Sequence, residues 1–479
     1  MSKQRIQLSD HFTYPRLLRF VLPCIGTMLF TSIYGIVDGL CVSNFVGKTA
    51  FAAVNLIMPL PMLLGTIGFM LGTGGSAIVG ITLGEGDQKK ADRYFTLFLL
   101  AALISVSVLA VLGIVFLRPI AVLLGAKGEL LDYAVRYGRI LMVSLPTFAL
   151  QNMFQSFFVT AEKPHLGFWF TVGAGCTNMV LDVLMVGIWG WGVEGAAIAT
   201  FISQLVGGVL PVFYFIDRSN SSRLHLCKTS FYSKVLRDAC INGSSELMTN
   251  LSMSLVNILY NYQLLRLAGE NGVAAYGVIM YAAFLFVAVF VGYAVGSAPI
   301  VSFHYGARNH AEVHNLYRKS LRLIALVAVT LTLASMFIIP CVARIFVGYD
   351  AELLALTSRA FRLYALSFLI MGFNVYASSF FTALGDGVTS ALISFLRTLA
   401  FQVIAILLLP LLLGIDGIWL AVTAAELAAL AVSAAMLLTK DKGCSITARH
   451  DKIPCFLRNG EKRGIFLVIL ALPLAAKSC

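Results

Sequence analysis

Residues 269–306 read "GENGVAAYGVIMYAAFLFVAVFVGYAVGSAPIVSFHYG", and residues 47–84 read "GKTAFAAVNLIMPLPMLLGTIGFMLGTGGSAIVGITLG". Set against each other at an offset of 222 they share ten identities over 38 ungapped positions, where about three arise by chance. Gly47, Ala52, Ala53, Ile57 and Met58 meet Gly269, Ala274, Ala275, Ile279 and Met280, and the match continues through Leu63, Gly74, Ile78, Val79 and Gly84. Further on, "VEGAAIA" meets "IDGIWLA" at the same offset. Each long stretch is apolar enough to cross a hydrocarbon core of roughly 30 Å. A membrane span has therefore been written twice.

The rest of the chain agrees with that reading. Its 479 residues are 59% hydrophobic and 12% charged, with a mean hydropathy of +0.87, whereas a soluble chain carries about 25% charged residues. Spans are predicted at 15–40, 50–82, 94–117, 133–160, 165–190, 193–216, 236–266, 272–303, 317–346, 357–384, 388–414 and 416–439. Twelve spans put both termini on one side. With that side as the cytoplasm, 25 of the 35 Lys and Arg fall in inner segments, nine in outer ones, and Arg397 mid-helix. This is a positive-inside pattern. The net charge of +12 then reports topology, and no nucleic-acid partner is expected.

Six spans separate matching positions, so the two copies share one orientation. Parallel halves about an axis along the membrane normal are a transporter architecture, with the substrate site between them. The expected organisation is a cytoplasmic tail at 1–14, an N-lobe at 15–216 and a cytoplasmic linker at 217–235. A C-lobe at 236–439 and a basic tail at 440–479 follow. The tail's final apolar run is short and proline-broken, and suits the interface. The start of the chain shows no small-residue cleavage site, so no removable signal peptide is expected. Nine scattered cysteines suggest neither a metal site nor a disulfide framework.

Acids are rare inside the spans. Asp38 lies 18 residues after Phe20, roughly 27 Å along a helix, where it either snorkels to water or serves a function. On the fifth span "NMVLD" sets Asn178 and Asp182 one turn apart on one face. Carboxylates that face each other inside one lobe have raised pKa values and suit a proton relay. Pro23 is either a tolerated kink or a hinge in the helix of Asp38. Glu246 begins a polar stripe with Asn250 and Asn257 on the seventh span, and Glu426 is a weaker case. Arg397, nine residues into the eleventh span, calls for a structural ion pair with an acid or with carbonyls of its own lobe. Glu194 and Asp416 read as turn residues beside Gly195 and Gly417. Six of seven histidines lie in tails or loops, with His304 at an inner helix end. No HExxH or nucleotide-binding loop is present, so neither an enzyme nor an ATPase is expected.

Together these residues resemble the multidrug and toxic compound extrusion (MATE) family of cation-coupled antiporters, over about residues 10 to 440. "LYALSFLIMGFNVYASSFFTALGDG" and the string running from "NYQLLRLAGENG" to "SFHYGARN" look especially like its bacterial multidrug branch. The resemblance implies an all-α polytopic fold of two pseudo-symmetric six-helix lobes in a V, opening alternately to either side. It also implies a first-lobe coupling site of Asp38, Asn178 and Asp182, with Thr200 as the sixth-span threonine and Pro23 as the bending proline. Gln155 stands where relatives often carry an Asn, and "VTAEKP" replaces the usual "RAxGNP". A second candidate site, sodium-linked in relatives, pairs a seventh-helix Glu, here Glu246 beside Asn250, with a tenth-helix Asp. No acid lies between Arg362 and Phe381, and Asn374 is the nearest polar candidate.

The resulting expectation is a secondary antiporter in the cell membrane, monomeric and without cofactor or metal. It exchanges amphipathic cationic drugs or toxic metabolites for protons or sodium. The alternative is a lipid-linked oligosaccharide flippase of a related superfamily, whose site would be rich in Arg and Lys to hold a pyrophosphate. One mid-helix Arg among several acids argues against it. A membrane-bound transferase would need a catalytic His or acid pair at a membrane face, and a sensor sharing the scaffold would show no flux.

Overall fold

A computed structural model describes residues 6–446 other than 47 and 349, with the side chains at 36, 38–45, 48, 51, 340, 342, 345, 346 and 438–446 outside that description. The expected basic tail beyond 446 and its apolar end lie outside the described residues.

The first half begins with α1 (Tyr14–Phe45), then α2 (Lys48–Ile57) and α3 (Pro59–Gly84). The last two divide the span expected at 50–82. Pro59 and Pro61 bring no amides to the ladder of the preceding turn, so one helix stops at Ile57 and the next starts on the prolines. Next come α4 (Gln88–Leu123), α5 (Glu129–Thr160) and α6 (Pro164–Asp182), which runs into a π turn at Val183–Ile188. α7 (Gly192–Gln204) passes through a second π turn, Leu205–Val209, into α8 (Leu210–Ile216).

The second half opens with the 74-residue α9 (Ser233–Gly306), which Gly269 breaks into two passes by taking φ 61°, ψ −151°. α10 (His310–Val347) follows. α11 (Ala351–Ala365) and α12 (Phe368–Ala383) form one span bent by 46°. α13 (Gly387–Phe395), a π turn at Leu396–Ala400 and α14 (Phe401–Leu413) make the next, and α15 (Ile415–Ile446) the last. Among the described residues nine helical stretches suffice to cross a membrane by length and composition, and the bent pair makes a tenth. The break at Gly269 divides one of the nine, and α5, with charges in its first turns, is a further pass. The described residues thus make twelve passes, six in each half.

The duplication is visible in atomic contacts. A Cβ at Gly84 would lie 2.0 Å from the carbonyl oxygen of Phe303, and one at Gly306 would lie 2.0 Å from that of Ile81. Gly306 and Phe303 are the partners of Gly84 and Ile81 at the offset of 222, so the contact is its own image through a pseudo-twofold axis. The same holds further along. Gly74 abuts Gly243 and the carbonyl of Ala239, and its equivalent Gly296 abuts Val21 and Cys24. Small residues let backbones approach in lipid, where packing substitutes for the hydrophobic effect. Even the caps repeat: Asp87 accepts from the Lys90 amide and Asn309 from the Glu312 amide.

These approaches all lie near the face that carries residues 6–13 and the 217–232 linker. Towards the far face each half packs on its own members, α2 on α1, α3, α5 and α7, and α11 on α9, α10, α12 and α15. The halves therefore meet at the linker face and part at the other, which gives the V. Ile104, Val108, Val111 and Val115 form an exposed stripe on α4 at helical spacing, a lipid-facing surface.

Residues 6–13 close the linker face as a strap. Glu162, in the α5–α6 turn, accepts from the Leu8 amide at 2.9 Å and from Arg223 of the linker at 2.6 Å. Glu312, on α10, accepts from the Phe12 amide at 2.9 Å and pairs with His11 at 2.6 Å. Lys319 holds the Phe12 carbonyl at 2.6 Å, and Leu8 and Phe12 are fully buried.

Candidate functional site

Two buried polar regions stand out, one in each half. In the first half Asn178 and Asp182 occupy successive turns at the end of α6, both buried, at the point where the helix widens into its π turn. Such a bulge rotates side chains that a regular helix would direct elsewhere. α1 runs beside α6 in parallel register. A Cβ at Gly26 would lie 3.0 Å from the Phe168 ring, and one at Gly175 would lie 2.5 Å from Phe30 and 3.1 Å from Tyr34. One further turn carries backbone position 38 to the level of 178–182. The side chain of Asp38 lies outside the described residues.

Pro23 sits within α1 where that helix meets the second half, next to Cys24 and Ile25, which crowd Gly296 and Gly292. Thr27 donates to the Pro23 carbonyl at 2.9 Å, a bond of the kind that bends helices. Thr200 donates to the Ala196 carbonyl at 3.0 Å, so its hydroxyl turns to its own helix, and Gln155 is half-buried on α5.

Sequence reasoning passed over three amides here. Gln151, Asn152 and Gln204 are buried in the first half. Gln151 wedges against Gly207 of the π turn, where a Cβ would come within 2.8 Å. Asn152 Nδ2, Gln204 Oε1 and Asn178 Nδ2 have no hydrogen-bond partner among the described residues. The signal was the amide doublet in "LQNMFQ", which buries hydrogen-bonding capacity in an apolar run.

In the second half a cavity of about 360 Å³ is walled mainly by α9 and α12, with Arg397 and Thr398 of the last π turn, Val422 and Glu426 of α15, and Thr73, Ser76 and Ser156 of the first half completing it. Glu246, Arg397 and Glu426 all face it. Arg397, carried on the π turn, approaches Glu426 Oε1 at 3.6 Å. Asn374 donates to Glu426 Oε2 at 2.7 Å and to the Glu426 carbonyl at 2.9 Å, while Ser433 donates to Asn374 at 3.2 Å. Glu426 is thus the acid that meets Arg397, and Asn374 is committed to Glu426. Asn250 donates to the backbone carbonyl of Glu246 at 2.9 Å. In the cavity wall Ser378, Ser394 and Thr382 join Ser390 in a chain of hydroxyl contacts of 2.7–2.9 Å.

The arrangement offers a carboxylate deep in the first half, an acid–arginine–acid group in the second, and a seam between them closed at one face. Comparison with known proteins places the fold. Multidrug export protein MepA of Staphylococcus saprophyticus is 21% identical over 432 residues, covering 89% of this chain and 94% of that protein. Its counterpart from Staphylococcus aureus (strain MSSA476) is 21% identical over 439 residues, covering 90% and 94%. A multidrug resistance MATE family transporter of the MOP superfamily, solved in an outward-facing conformation, superposes with a TM-score of 0.85 at 23% identity, covering 90% of this chain and 97% of that one. A MOP superfamily transporter from Pyrococcus furiosus gives 0.83 at 23% identity with the same coverage. The MatE family model matches twice, at residues 23–184 and again at 247–408, once in each half of the duplication. The chain belongs to the MatE family of membrane transporters.

Proposed function

We propose that this protein is a secondary antiporter that exports amphipathic cations, drugs or toxic metabolites, in exchange for protons or sodium. It works as a monomer in the cell membrane with both termini in the cytoplasm. The two lobes, 15–216 and 236–439, alternate about their shared seam, and Pro23 is the hinge within it.

The observation that carries this reading is the reciprocal contact of Gly84 with Phe303 and Gly306 with Ile81. A seam that is its own image can form at one face of two equivalent halves and release there as they rock, which is how duplicated transporters expose a central site to each side in turn. The buried Asp182 supports coupling in the first half. A carboxylate enclosed there is costly unless neutralised by a proton, an ion or a partner, so its state can be tied to which way the halves open. Asp38, Asn178, Gln155 and Thr200 complete the coupling site in this reading. The multidrug export proteins named above, similar over nearly their whole length, support the substrate class.

The test is efflux of a fluorescent lipophilic cation from proteoliposomes under an imposed pH or sodium gradient, wild type against Asp38→Asn. Efflux driven by the pH gradient and abolished by the amide identifies Asp38 as a proton site. Normal transport by Asp38→Asn removes it from the coupling site. Absence of gradient-driven flux in the wild type would overturn the antiporter reading itself.

A further inference from the structure

Away from both polar regions, the first turns of α1 and the α10 helix of the other half enclose a crevice beside the strap. Arg322 of α10 reaches the Tyr14 hydroxyl of α1 at 3.4 Å, and Lys319 holds its ammonium over the Tyr14 ring at 5.5 Å. Beyond that contact the two helices part. Leu18 and Leu22 continue the Tyr14 face of α1, Leu326 and Val329 continue the Arg322 face of α10, and all four are exposed. An apolar groove open to lipid therefore runs away from Tyr14, with one wall from each half.

The mouth of this groove is cationic. Arg16 and Arg19 follow Tyr14 within the first two turns of α1, so four cations gather at this level. Arg16 approaches Asp10 at 4.0 Å and donates to the His11 carbonyl at 3.3 Å, and Lys319 is committed to the Phe12 carbonyl. Glu312 is taken up by the strap. Arg19 and Arg322 are exposed and have no ion pair among the described residues. Each stands three or four residues before an exposed leucine, Leu22 or Leu326, about 5–6 Å along its helix. That step from cation to apolar side chain matches the step from headgroup to acyl chain in a bilayer.

The duplication shows that the fold does not require these charges. Gly74 meets Gly243 where Gly296 meets Val21, so the offset of 222 also relates the start of α9 to α1. At that offset Tyr14, Arg16 and Arg19 become Leu236, Asp238 and Ile241, while Lys319 and Arg322 become Leu97 and Leu100. The image of the crevice has no cation at any of these positions, and Ile241 and Leu100 are exposed apolar side chains. A topology bias alone would mark both crevices. The charge belongs to one of them.

We propose that this crevice binds the headgroup of an anionic phospholipid, with Arg19 and Arg322 on its phosphate and an acyl chain in the groove between Leu22 and Leu326. A guanidinium pairs with phosphate through parallel hydrogen bonds, and net negative charge separates such a lipid from zwitterionic neighbours. The bound lipid joins α1 of one half to α10 of the other, next to the strap. The site is independent of what the protein carries and in which direction.

The test is native mass spectrometry of the purified full chain, stripped of lipid in an uncharged detergent and titrated with dioleoylphosphatidylglycerol or dioleoylphosphatidylcholine. The wild type is expected to take its first phosphatidylglycerol at least about fivefold more tightly than its first phosphatidylcholine, the share of one surface cation. Arg19→Gln/Arg322→Gln should bring the two lipids to within about twofold of each other, well under that one-cation share. Lys89→Gln/Lys234→Gln, which removes two exposed cations from the first turns of α4 and α9, should keep the preference. No preference in the wild type, a preference that survives Arg19→Gln/Arg322→Gln, or an equal loss in both variants overturns the site. Displacement of the lipid by an equal concentration of glycerol 1-phosphate would also overturn it, since the groove would then contribute nothing.

Discussion

Glu162 and Glu312 come from different halves of the molecule and hold the two ends of one short segment, taking the amides of Leu8 and Phe12 at 2.9 Å each. The strap they hold crosses the face where the halves meet. Each carboxylate is itself braced, Glu162 by Arg223 and Glu312 by His11 and Asn315. Separating the halves at this face requires one end of the strap to let go.

Removing one anchor should therefore favour opening at the linker face. Glu312→Ala deletes the bonds to Phe12, His11 and Asn315 together. Hydrogen bonds to a charged group contribute about 1.5–3 kcal/mol each when buried, so a shift of about 2 kcal/mol, roughly thirtyfold in the open population, is expected after partial compensation by water. Cys24 is buried in the seam, and its rate of alkylation by a maleimide, followed by mass spectrometry, should rise accordingly. An unchanged rate in both Glu312→Ala and Glu162→Ala would mean that the strap merely lies on the surface.

The seam itself predicts matched effects at positions far apart in sequence. Adding a methyl group at Gly84 or Gly306 places a carbon 2.0 Å from a backbone oxygen of the opposite half, and no side-chain rotation relieves it. Overpacking of this kind costs about 1–3 kcal/mol. Gly84→Ala and Gly306→Ala should lower the thermal unfolding midpoint in detergent by similar amounts. Gly277→Ala, where nothing lies within 4 Å, should leave it unchanged. Unequal losses at the two seam glycines would argue against a symmetric contact.

Much of this architecture was legible beforehand because it is written in features that survive averaging. Apolar length gave the passes, and the offset of 222 gave the halves, since Gly84 and Gly306 are both retained for the same close approach. The boundaries within passes were less legible. The breaks at Pro59 and Gly269 follow from a missing amide and a positive φ, but the π turns at 183–188, 205–209 and 396–400 have no residue signature, and one of them sets the direction of Arg397. The pairing of Arg397 with Glu426 was illegible for the same reason. It joins α14's entry turn to α15 across space, and nothing local distinguishes Glu426 from Glu246 as partner. The strap was read as a polar tail because its anchoring acids lie about 150 and 300 residues away.

The Arg397–Glu426 pair sits almost wholly out of solvent, at 13% and 2% side-chain exposure. Breaking a buried pair from one side costs about 3–5 kcal/mol because a charge is left behind, whereas removing both members is often neutral. Glu426→Gln alone should destabilise strongly, and Arg397→Met/Glu426→Met should recover most of the loss in the unfolding midpoint. A double variant as unstable as the single would show that the pair braces the lobe through Asn374 and not through charge balance.

The last prediction separates structure from coupling in the first half. Asp182 is fully buried, and an amide of nearly the same shape keeps its packing while taking away the titratable carboxylate. Asp182→Asn should accordingly leave the thermal midpoint close to that of the wild type. If Asp182 carries the coupling ion, the same variant must lose at least tenfold in pH-gradient-driven efflux, because an amide neither takes nor releases a proton in this range. Stability retained with flux lost is the signature of a coupling residue, since a purely structural acid would lose both or neither. Stability retained with flux intact would transfer coupling to the second half. There Glu246→Gln should then abolish efflux driven by sodium.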